Sequence, residues 1–450
     1  AYDFDVRSWM SDVCSSNLLL PVGLSRVVYI LFPTGVRPRA LGDYLRPTGL
    51  GALLATLLAG RGFTVALGTW SALAVAVFAG NQFHVLFLGA TVVLAASLSA
   101  GHTRKRAQVF RAGLWMGLAG ALFVVCATLL MRNPAAVVAS QGAAVLATGI
   151  LTAILALLLL PAFEWAFGLT SDIRLLELSD PSHPLLERLA VEAPGTYHHS
   201  LMVANLAQTA ADEIDADGLL ARVCALYHDI GKISTPRYFI ENACADRSPH
   251  DDLSPQMSTL VILSHVKEGA ALARLHRLPP PIRDAIQQHH GTSLVTYFFR
   301  RAREASDAGA GHGPGAPPRP EERDFRYPGP RPQSREIAIL ALADAVEAAS
   351  RTLHRPSAGR IASLVREVVQ RRVAEGHLDE SGLTLAELDR VRQAFIFTLT
   401  GMHHGRIPYP DHEDQHPEPS GTERPDGGAA RTDGASDDTR LVAERAESMG

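Results

Sequence analysis

Imidazole and carboxylate side chains recur at intervals through the second half of the chain. In chain order they are His199, His228, Asp229, His265, His289, His290 and Asp344. Nitrogen and carboxylate oxygen atoms are ligands for divalent ions such as Mn²⁺ and Fe²⁺. Asp229 is the natural centre of such a group, because a carboxylate can bridge two ions and an imidazole does not readily do so. The series therefore predicts a dinuclear metal site.

The helical pattern around two of these residues directs their side chains inward. His199 lies on the same helical face as Leu206, so its imidazole should point into the core. Asp344 shares a face with Leu340, where an unpaired carboxylate would be costly. A bound cation would remove that cost.

Each of these side chains has a simpler explanation when it is considered alone. A buried histidine is usually a hydrogen-bonded core residue, and Asp344 could cap a helix or pair with Arg335 or Arg351. His198 lies one helical step off the apolar face, which favours a structural or supporting role. The histidines in polar contexts, which we expect to be solvated, are His183, His276, His354 and His377. The order of the whole series on successive helices favours the metal site.

Amphipathic helices must position these residues, because apolar residues recur at three- and four-residue steps in the second half of the chain. The predicted helices are 198–214, 218–230, 256–276, 281–290, 335–353, 358–375 and 384–400. Thr384 and Glu387 form a capping box at the start of the last one. No alternating strand pattern is present, so we expect an all-α domain. Composition also predicts a Gly/Pro-rich loop at 307–333 within this domain and a disordered polar tail at 411–450 after it.

The first half of the chain has the composition of a membrane region. Only seven charged residues lie between Thr48 and Thr170. The candidate spans, by length and apolar content, are 18–33, 62–80, 83–100, 112–131 and 141–160. Segment 48–60 is apolar but short, and fits either an interfacial helix or an extension of the next span. This composition excludes a purely cytosolic protein and predicts a polytopic region over 18–168.

The basic residues predict the orientation of that region. Eight of them lie in the loops that follow the first and third candidate spans, against Arg132 alone in the opposite loops. Those two loops and everything after Phe163 should therefore be cytoplasmic. The net charge of −4 gives no electrostatic indication of a nucleic-acid polymer as partner. The chain lacks an initiating Met, and we interpret it as a fragment in which the origin of residues 1–17 stays open.

The motifs of residues 169–410 resemble the PgpH-type family of HD-domain phosphodiesterases. In that family a seven-span membrane region is fused to an HD domain that hydrolyses cyclic di-AMP. The stretches that carry the resemblance include GTYHHSLMVANLA, YHDIGKISTPRYFIEN, IQQHHGT and GRIPYP. Residues 18–168 resemble the later membrane spans of the same family. The large extracellular domain and the first spans of the family do not occur in this sequence.

The resemblance implies roles for the individual residues. The implied ligands of the first ion are His199, His228, Asp229 and Asp344. The implied ligands of the second ion are His265, His289 and His290, with Asp229 bridging. Lys232 would neutralise the phosphate that is cut, although a cation that answers the helix dipole is the simpler explanation for it. Two such ions would activate a hydroxide that opens cyclic di-AMP to linear pApA.

The resemblance also implies partners and a location, and it leaves alternatives open. A cyclic dinucleotide and the lipid bilayer are the implied partners, the bacterial inner membrane is the implied location, and a homo-oligomer stays open. An HD phosphohydrolase of another nucleotide, such as a mononucleotide or an alarmone, is one alternative. A non-catalytic nucleotide-binding membrane receptor is the other. His250 and His404 are weak candidates for the general acid, and each is more simply explained as a structural residue.

Overall fold

The chain is helical throughout the part that the structure describes. This computed structural model describes residues 49–78, 83–100, 103–243, 248–308, 319–353 and 357–404. Within these ranges no β-strand is present, and one isolated bridge joins Leu294 to Arg326. The prediction of an all-α fold is therefore confirmed. The chain forms two compact units, Ala1–Glu177 and Leu178–Gly450.

The first unit is built from apolar helices of different lengths. They are α1 (Gly49–Ala59), α2 (Arg61–Phe78), α3 (Phe83–Ser99), α4 (Arg106–Leu130) and α5 (Ala135–Phe167), followed by the short α6 (Asp172–Leu178). Among the described residues, α4 and α5 are long and apolar enough to cross a membrane, while α1 to α3 are shorter apolar helices. The candidate spans 112–131 and 141–160 fall in α4 and α5. The candidate span 18–33 lies outside the described residues.

Small residues allow α4 and α5 to pack closely. A Cβ atom at Gly149 would lie 2.4 Å from the carbonyl oxygen of Gly113 on the opposite helix, so only glycine fits there. Large apolar side chains face outward on the same helices, including Trp115, Leu122 and Leu158. Close backbone contact inside and apolar side chains outside are typical of helices surrounded by lipid.

The second unit is a bundle of shorter helices and tight turns. Its helices are α7 (Pro184–Glu192), α8 (Pro194–Glu213), α9 (Gly218–Tyr227), α10 (Pro255–Leu275), α11 (Pro280–Gln288), α12 (Thr296–Ala308), α13 (Arg335–Ser350), α14 (Ala358–Ala374) and α15 (Leu385–His404). The 3₁₀ turns are Ile230–Ser234, Pro236–Tyr238, Ile240–Asn242, Pro249–Asp252 and Glu322–Phe325. Side chains cap several helix starts, and the capping box predicted for Thr384 and Glu387 is confirmed by reciprocal hydrogen bonds.

Helix α13 is the centre of this bundle. Every residue from Ile337 to Ser350 is buried, and α8, α9, α14 and α15 pack around the helix. Buried Asp344 and Glu347 interrupt an otherwise almost entirely apolar sequence. Two carboxylates in the middle of a core are unfavourable unless polar or cationic partners meet them.

Part of the Gly/Pro-rich stretch 307–333 packs on the bundle. Val295 donates a backbone hydrogen bond of 2.8 Å to Phe325, and Tyr327 donates one of 3.0 Å to Ser293. Phe325 and Tyr327 are both buried, in a cluster that includes Phe298. These aromatic side chains supply apolar contact area, and they bring residues 325–327 beside the segment that follows α11.

Candidate metal centre

Asp229 lies where helix α9 passes into the turn Ile230–Ser234. The turn packs very closely against α10. A Cβ atom added at Gly231 would lie only 1.8 Å from the carbonyl oxygen of His265. Only glycine permits this approach without displacement of the backbone. The close contact brings the carboxylate of Asp229 to the imidazole of His265, at 3.5 Å from Oδ1 to Nε2.

One group of donor atoms lies on the Oδ2 side of Asp229. His199, His228 and Asp229 each offer a ligand atom, and these atoms lie within 4.8 Å of one another. Asp344 joins them from α13, with Oδ1 at 3.0 Å from Nε2 of His199 and at 3.7 Å from Nε2 of His228. Helix α8, the end of α9 and helix α13 therefore direct four side chains to one point.

A second group of donor atoms shares Asp229 with the first. Ligand atoms of Asp229, His265, His289 and His290 also lie within 4.8 Å of one another. Nε2 of His289 is 3.8 Å from Oδ1 of Asp229. The structure thus brings together all seven residues that the sequence analysis assigned to metals, with Asp229 common to both groups.

Backbone carbonyl groups fix the orientation of three imidazoles. Each of these rings donates from Nδ1 to a carbonyl oxygen three residues earlier: His228 to Ala225 at 2.7 Å, His265 to Ile262 at 2.6 Å, and His289 to Ile286 at 2.9 Å. With the proton on Nδ1, the lone pair of Nε2 faces the centre of the cluster. A hydrogen bond of this kind selects the tautomer that binds a metal.

Glu347 performs the same task for His199 and was missed by the sequence analysis. Nδ1 of His199 lies 2.5 Å from Oε2 of Glu347, whose other oxygen accepts from Nε of Arg351 at 2.9 Å. Burial would raise the pKa of Glu347, but the charges of His199 and Arg351 hold it below its usual value. Arg351 therefore pairs with Glu347 rather than with Asp344. The sequence did contain an indication of this role: Glu347 lies one turn after Asp344 in an apolar helix, so the two carboxylates share a buried face.

Several buried polar atoms of the cluster have no hydrogen-bond partner among the residues that the structure describes. They are both carboxylate oxygens of Asp229, Nε2 of His228 and Nε2 of His290. Oδ2 of Asp229 also lies 2.9 Å from Nζ of Lys232, so an ion pair meets part of its charge. Buried donors and acceptors are rarely left unsatisfied in native proteins. The donor set and its unsatisfied atoms fit divalent cations.

The charges of the two groups differ. Burial opposes a charge on His199 and His228, but the carboxylates around them outweigh it. Glu347 and Asp344 raise the pKa of His199 to about 9, and Asp229 and Asp344 raise the pKa of His228 to about 10. Burial lowers the pKa of His265 to about 4 and that of His289 to about 3. The first group attracts positive charge, whereas the second offers neutral imidazoles.

Lys232 is fully buried beside Asp229. Its Nζ atom lies 3.0 Å from Oε1 of Glu241 and 4.7 Å from the centre of the Phe239 ring. Burial would lower the pKa of Lys232, but the charges of Asp229 and Glu241 raise it, so the ammonium stays protonated. Glu241 in turn accepts a hydrogen bond of 2.9 Å from Thr196. Lys232 is thus part of a buried ion-pair network and not a surface cation that answers a helix dipole.

Tyr327 lies against the centre and was not assigned a role from the sequence. Its ring centre is 4.2 Å from that of His290 and 6.0 Å from that of His265. Burial raises the pKa of Tyr327, and the charges of Asp229 and Asp344 raise it further, so the phenol stays protonated. Tyr327 comes from the Gly/Pro-rich stretch, where composition alone gave no indication of a contact with the site.

His377 corrects one prediction. It was expected to be solvated, but it is only 3% exposed. The chain turns at Gly376, which has a positive φ of 67°, and places the His377 ring against Gly291, where an added Cβ atom would lie 2.7 Å from Cε1 of His377. This burial depends on a long-range contact, so its polar neighbours in sequence gave the wrong indication.

The other histidines lie away from the cluster or outside the described part. His198 is exposed, so it does not support a ligand from within the core. His183 is partly buried and caps α7, and His276 is partly buried at the end of α10. His250 is buried with Nε2 at 2.9 Å from the carbonyl oxygen of Tyr238, which is a structural role. His354 and the side chain of His404 lie outside the described residues.

Two family models match successive parts of the chain. Residues 10–171 match the family described as a 7TM receptor with intracellular HD hydrolase. Residues 196–349 match the HD domain family, and this range includes all seven residues of the candidate metal centre. The chain therefore joins a 7TM-type membrane region to an HD domain.

Two curated relatives agree with these matches. The chain is 43% identical to the cyclic-di-AMP phosphodiesterase PgpH of Bacillus subtilis over 317 residues, which are 70% of this chain and 43% of that protein. It is 39% identical to the PgpH protein of Listeria monocytogenes over 347 residues, 74% of this chain and 45% of that protein. A crystal structure of the L. monocytogenes PgpH HD domain in complex with cyclic di-AMP is 42% identical, with a TM-score of 0.46, and the match covers 50% of this chain and 100% of that one.

The chain spans less than half the length of these two curated relatives. Its similarity to them nevertheless extends over both the membrane region and the HD domain. On this basis the chain belongs to the PgpH-type family, in which a multi-span membrane region is joined to an HD hydrolase domain.

Proposed function

We propose that this protein is a membrane-anchored, metal-dependent phosphodiesterase that opens cyclic di-AMP to linear pApA. The position of Asp229 carries the proposal: its two oxygens face two separate groups of imidazole and carboxylate donors. A carboxylate shared in this way is suited to hold two cations side by side. Two relatives that match most of this chain are named cyclic-di-AMP phosphodiesterases, which supports the choice of substrate.

The residues divide between two divalent ions, Mn²⁺ or Fe²⁺. His199, His228, Asp229 and Asp344 would hold one ion, and His265, His289, His290 and Asp229 would hold the other. Two divalent ions at such a site supply a water-derived nucleophile at neutral pH and relieve the negative charge of the phosphate. Imidazoles with low pKa values suit this role, because ligands must be deprotonated to bind.

Residues around the ligands complete the site. Glu347 holds the ring of His199 in one orientation from behind. Lys232 places a permanent positive charge 2.9 Å from Oδ2 of Asp229, next to the point where a phosphate oxygen would approach. Glu241 holds that ammonium in place. Both Asp229 and Lys232 therefore act on the reacting phosphate, Asp229 through the ions and Lys232 through its charge.

The HD domain faces the cytoplasm in this proposal. The membrane region carries Arg104, Lys105 and Arg106 at the start of α4, and cytoplasmic loops are enriched in basic residues. The exposed Trp115, Leu122 and Leu158 would contact lipid acyl chains. The bacterial inner membrane is the expected location, as the similarity to the PgpH proteins implies.

A panel of substrates tests the proposal. The full chain, purified in detergent with Mn²⁺, is incubated with cyclic di-AMP, cyclic di-GMP, an alarmone and a nucleoside triphosphate, and the products are separated by chromatography. We expect linear pApA from cyclic di-AMP and slower or no turnover of the others. Faster hydrolysis of the alarmone or the triphosphate would favour the alternative HD phosphohydrolase. Binding of cyclic di-AMP without turnover, in a chain that holds its metals, would favour the receptor.

A further inference from the structure

A cavity of about 340 Å³ adjoins the metal centre and has no role in the mechanism described above. Its lining residues are Thr292, Ser293, Arg326, Arg331, Glu375 and His377. Thr292 and Ser293 follow directly after the ligand pair His289-His290, and Ser293 donates a backbone hydrogen bond of 3.1 Å to the carbonyl oxygen of His290. Two of the cavity's lining residues therefore follow the ligand pair directly in the chain.

Three segments that are distant in sequence meet tightly at this cavity. Gly291 has a positive φ of 52°, and a Cβ atom there would lie 2.7 Å from Cε1 of His377 and 3.4 Å from Cα of Arg331. These close contacts hold Arg331 and His377 against the residue that follows the ligand pair His289-His290.

The lining is polar, and one of its buried polar atoms lacks a hydrogen-bond partner. Among the residues that the structure describes, Nε2 of His377 has no hydrogen-bond partner although the side chain is nearly completely buried. A buried polar atom that faces no partner commonly marks the place of a ligand or water.

Two guanidinium groups give the cavity its charge. Arg331 uses Nη1 for Asp379 at 3.3 Å, and Arg326 uses Nη1 for the carbonyl oxygen of Thr292 and Nη2 for Glu322. A guanidinium has five N–H donors, so each group keeps donors for a further acceptor. The one acidic lining residue, Glu375, lies 3.6 Å from Arg372. The lining is thus suited to a planar or tetrahedral oxyanion.

We infer that this cavity binds the second phosphate of a cyclic dinucleotide, the phosphate that is not cut. The inference rests on the proposed function. A cyclic dinucleotide has two phosphodiester groups in one ring, so a molecule held by one phosphate at the metal centre must place the other a nucleotide away. The cavity lies beside the ligand pair His289-His290, and its two arginines supply the donors that a phosphate accepts.

A comparison of two substrates tests the inference. Bis(p-nitrophenyl) phosphate has a single phosphodiester group and reaches only the metal centre, whereas cyclic di-AMP would use both sites. Arg331→Gln, Arg331→Lys and the control Arg366→Gln, an exposed arginine on α14, are prepared in the full chain in detergent with Mn²⁺. The quantity measured is the ratio of kcat/KM for cyclic di-AMP to kcat/KM for bis(p-nitrophenyl) phosphate.

We expect Arg331→Gln to lower this ratio by about ten- to a hundredfold, as for the loss of a charged hydrogen bond, mainly through KM. Arg331→Lys should lower the ratio less, because the positive charge is kept. It should still lower it, because an ammonium group lacks the paired N–H donors of a guanidinium. Arg366→Gln should keep the parent ratio. If Arg331→Gln keeps the parent ratio, or loses activity equally on both substrates, the second phosphate site is wrong. The proposed function still stands in that case, provided that the parent turns over cyclic di-AMP. A parent chain that hydrolyses only the one-phosphate ester overturns both.

Discussion

Nδ1 of His199 and Oε2 of Glu347 lie 2.5 Å apart, entirely within the core of the second unit. The pair joins helix α8 to helix α13 behind the candidate metal centre. It leaves Nε2 of His199 facing Asp344 at 3.0 Å. An imidazole held by a carboxylate in this way is a fixed and more basic ligand.

Glu347→Gln is therefore expected to weaken metal binding by about ten- to a hundredfold, because an amide holds the imidazole less firmly and does not raise its basicity. Titration of the metal-free full chain with Mn²⁺ measures the effect. Glu367→Gln, on the exposed side of α14, is the matched control and should bind Mn²⁺ as the parent does. Unchanged Mn²⁺ affinity in Glu347→Gln would show that the pair only stabilises the fold.

Lys232→Met should have two separable effects. It leaves Glu241 buried without its cation, which typically costs about 3–5 kcal/mol of unfolding free energy. It also removes a charge beside the phosphate, which should slow turnover by about ten- to a hundredfold with both ions retained. Thermal unfolding, metal analysis and kinetics measure the three quantities.

The double variant Lys232→Met with Glu241→Gln separates these effects. We expect it to recover part of the lost stability, because no unpaired carboxylate is left at residue 241, and to remain slow in turnover. If it recovers full activity, Lys232 acts only as a partner of Glu241. If Lys232→Met alone loses its metals, the assigned role beside the phosphate is also wrong.

Metal affinity should rise with pH between about 7 and 9. The pKa values of His199 and His228 are raised to about 9 and about 10 in the metal-free chain, so both rings carry a proton at pH 7 that a metal must displace. Each displaced proton increases the affinity by up to about tenfold per pH unit, until the pH passes the raised pKa. Calorimetry of Mn²⁺ binding in buffers of different ionisation enthalpy measures the protons released. Binding without proton release at pH 7 would contradict this account.

Gly231→Ala tests the contact that places Asp229. The added methyl group would lie 1.8 Å from the carbonyl oxygen of His265, so the turn or helix α10 must move. We expect a loss of about 1–3 kcal/mol or more in unfolding free energy, together with weaker metal binding. Gly359→Ala is the control, because a Cβ atom there meets nothing within 4 Å. Equal stability and Mn²⁺ affinity in the two variants would show that the turn is not held by this contact.

Residue types, helical periodicity and chain order singled out seven residues that the structure brings together. The predicted helix 335–353 matches α13 at Arg335–Ser350, since its apolar period is regular and its start is capped by Ser334. Between α9 and α10, the described residues 230–243 and 248–252 form four 3₁₀ turns, which have no apolar period to detect. The donors of the centre were found because their types and chain order match a known family.

The supporting residues could not be found in the same way. Glu347 has Arg351 four residues later, a pair that also occurs on any exposed helix, and only the packing of α8 shows its contact with His199. His377 is buried because Gly291, far away in sequence, leaves room for its ring. Both depend on tertiary contacts that local sequence does not encode.

The dependence of cyclic di-AMP turnover on bound metal is the most direct test of the central claim. The full chain is freed of metal, reloaded stepwise with Mn²⁺, and assayed for linear pApA at each measured metal content, beside Asp229→Asn. The account predicts no turnover without metal and full turnover only at about two ions per chain. It predicts that Asp229→Asn binds fewer ions and is inactive, because the carboxylate shared by both groups is lost. Full turnover by the metal-free chain, or by Asp229→Asn, would contradict it.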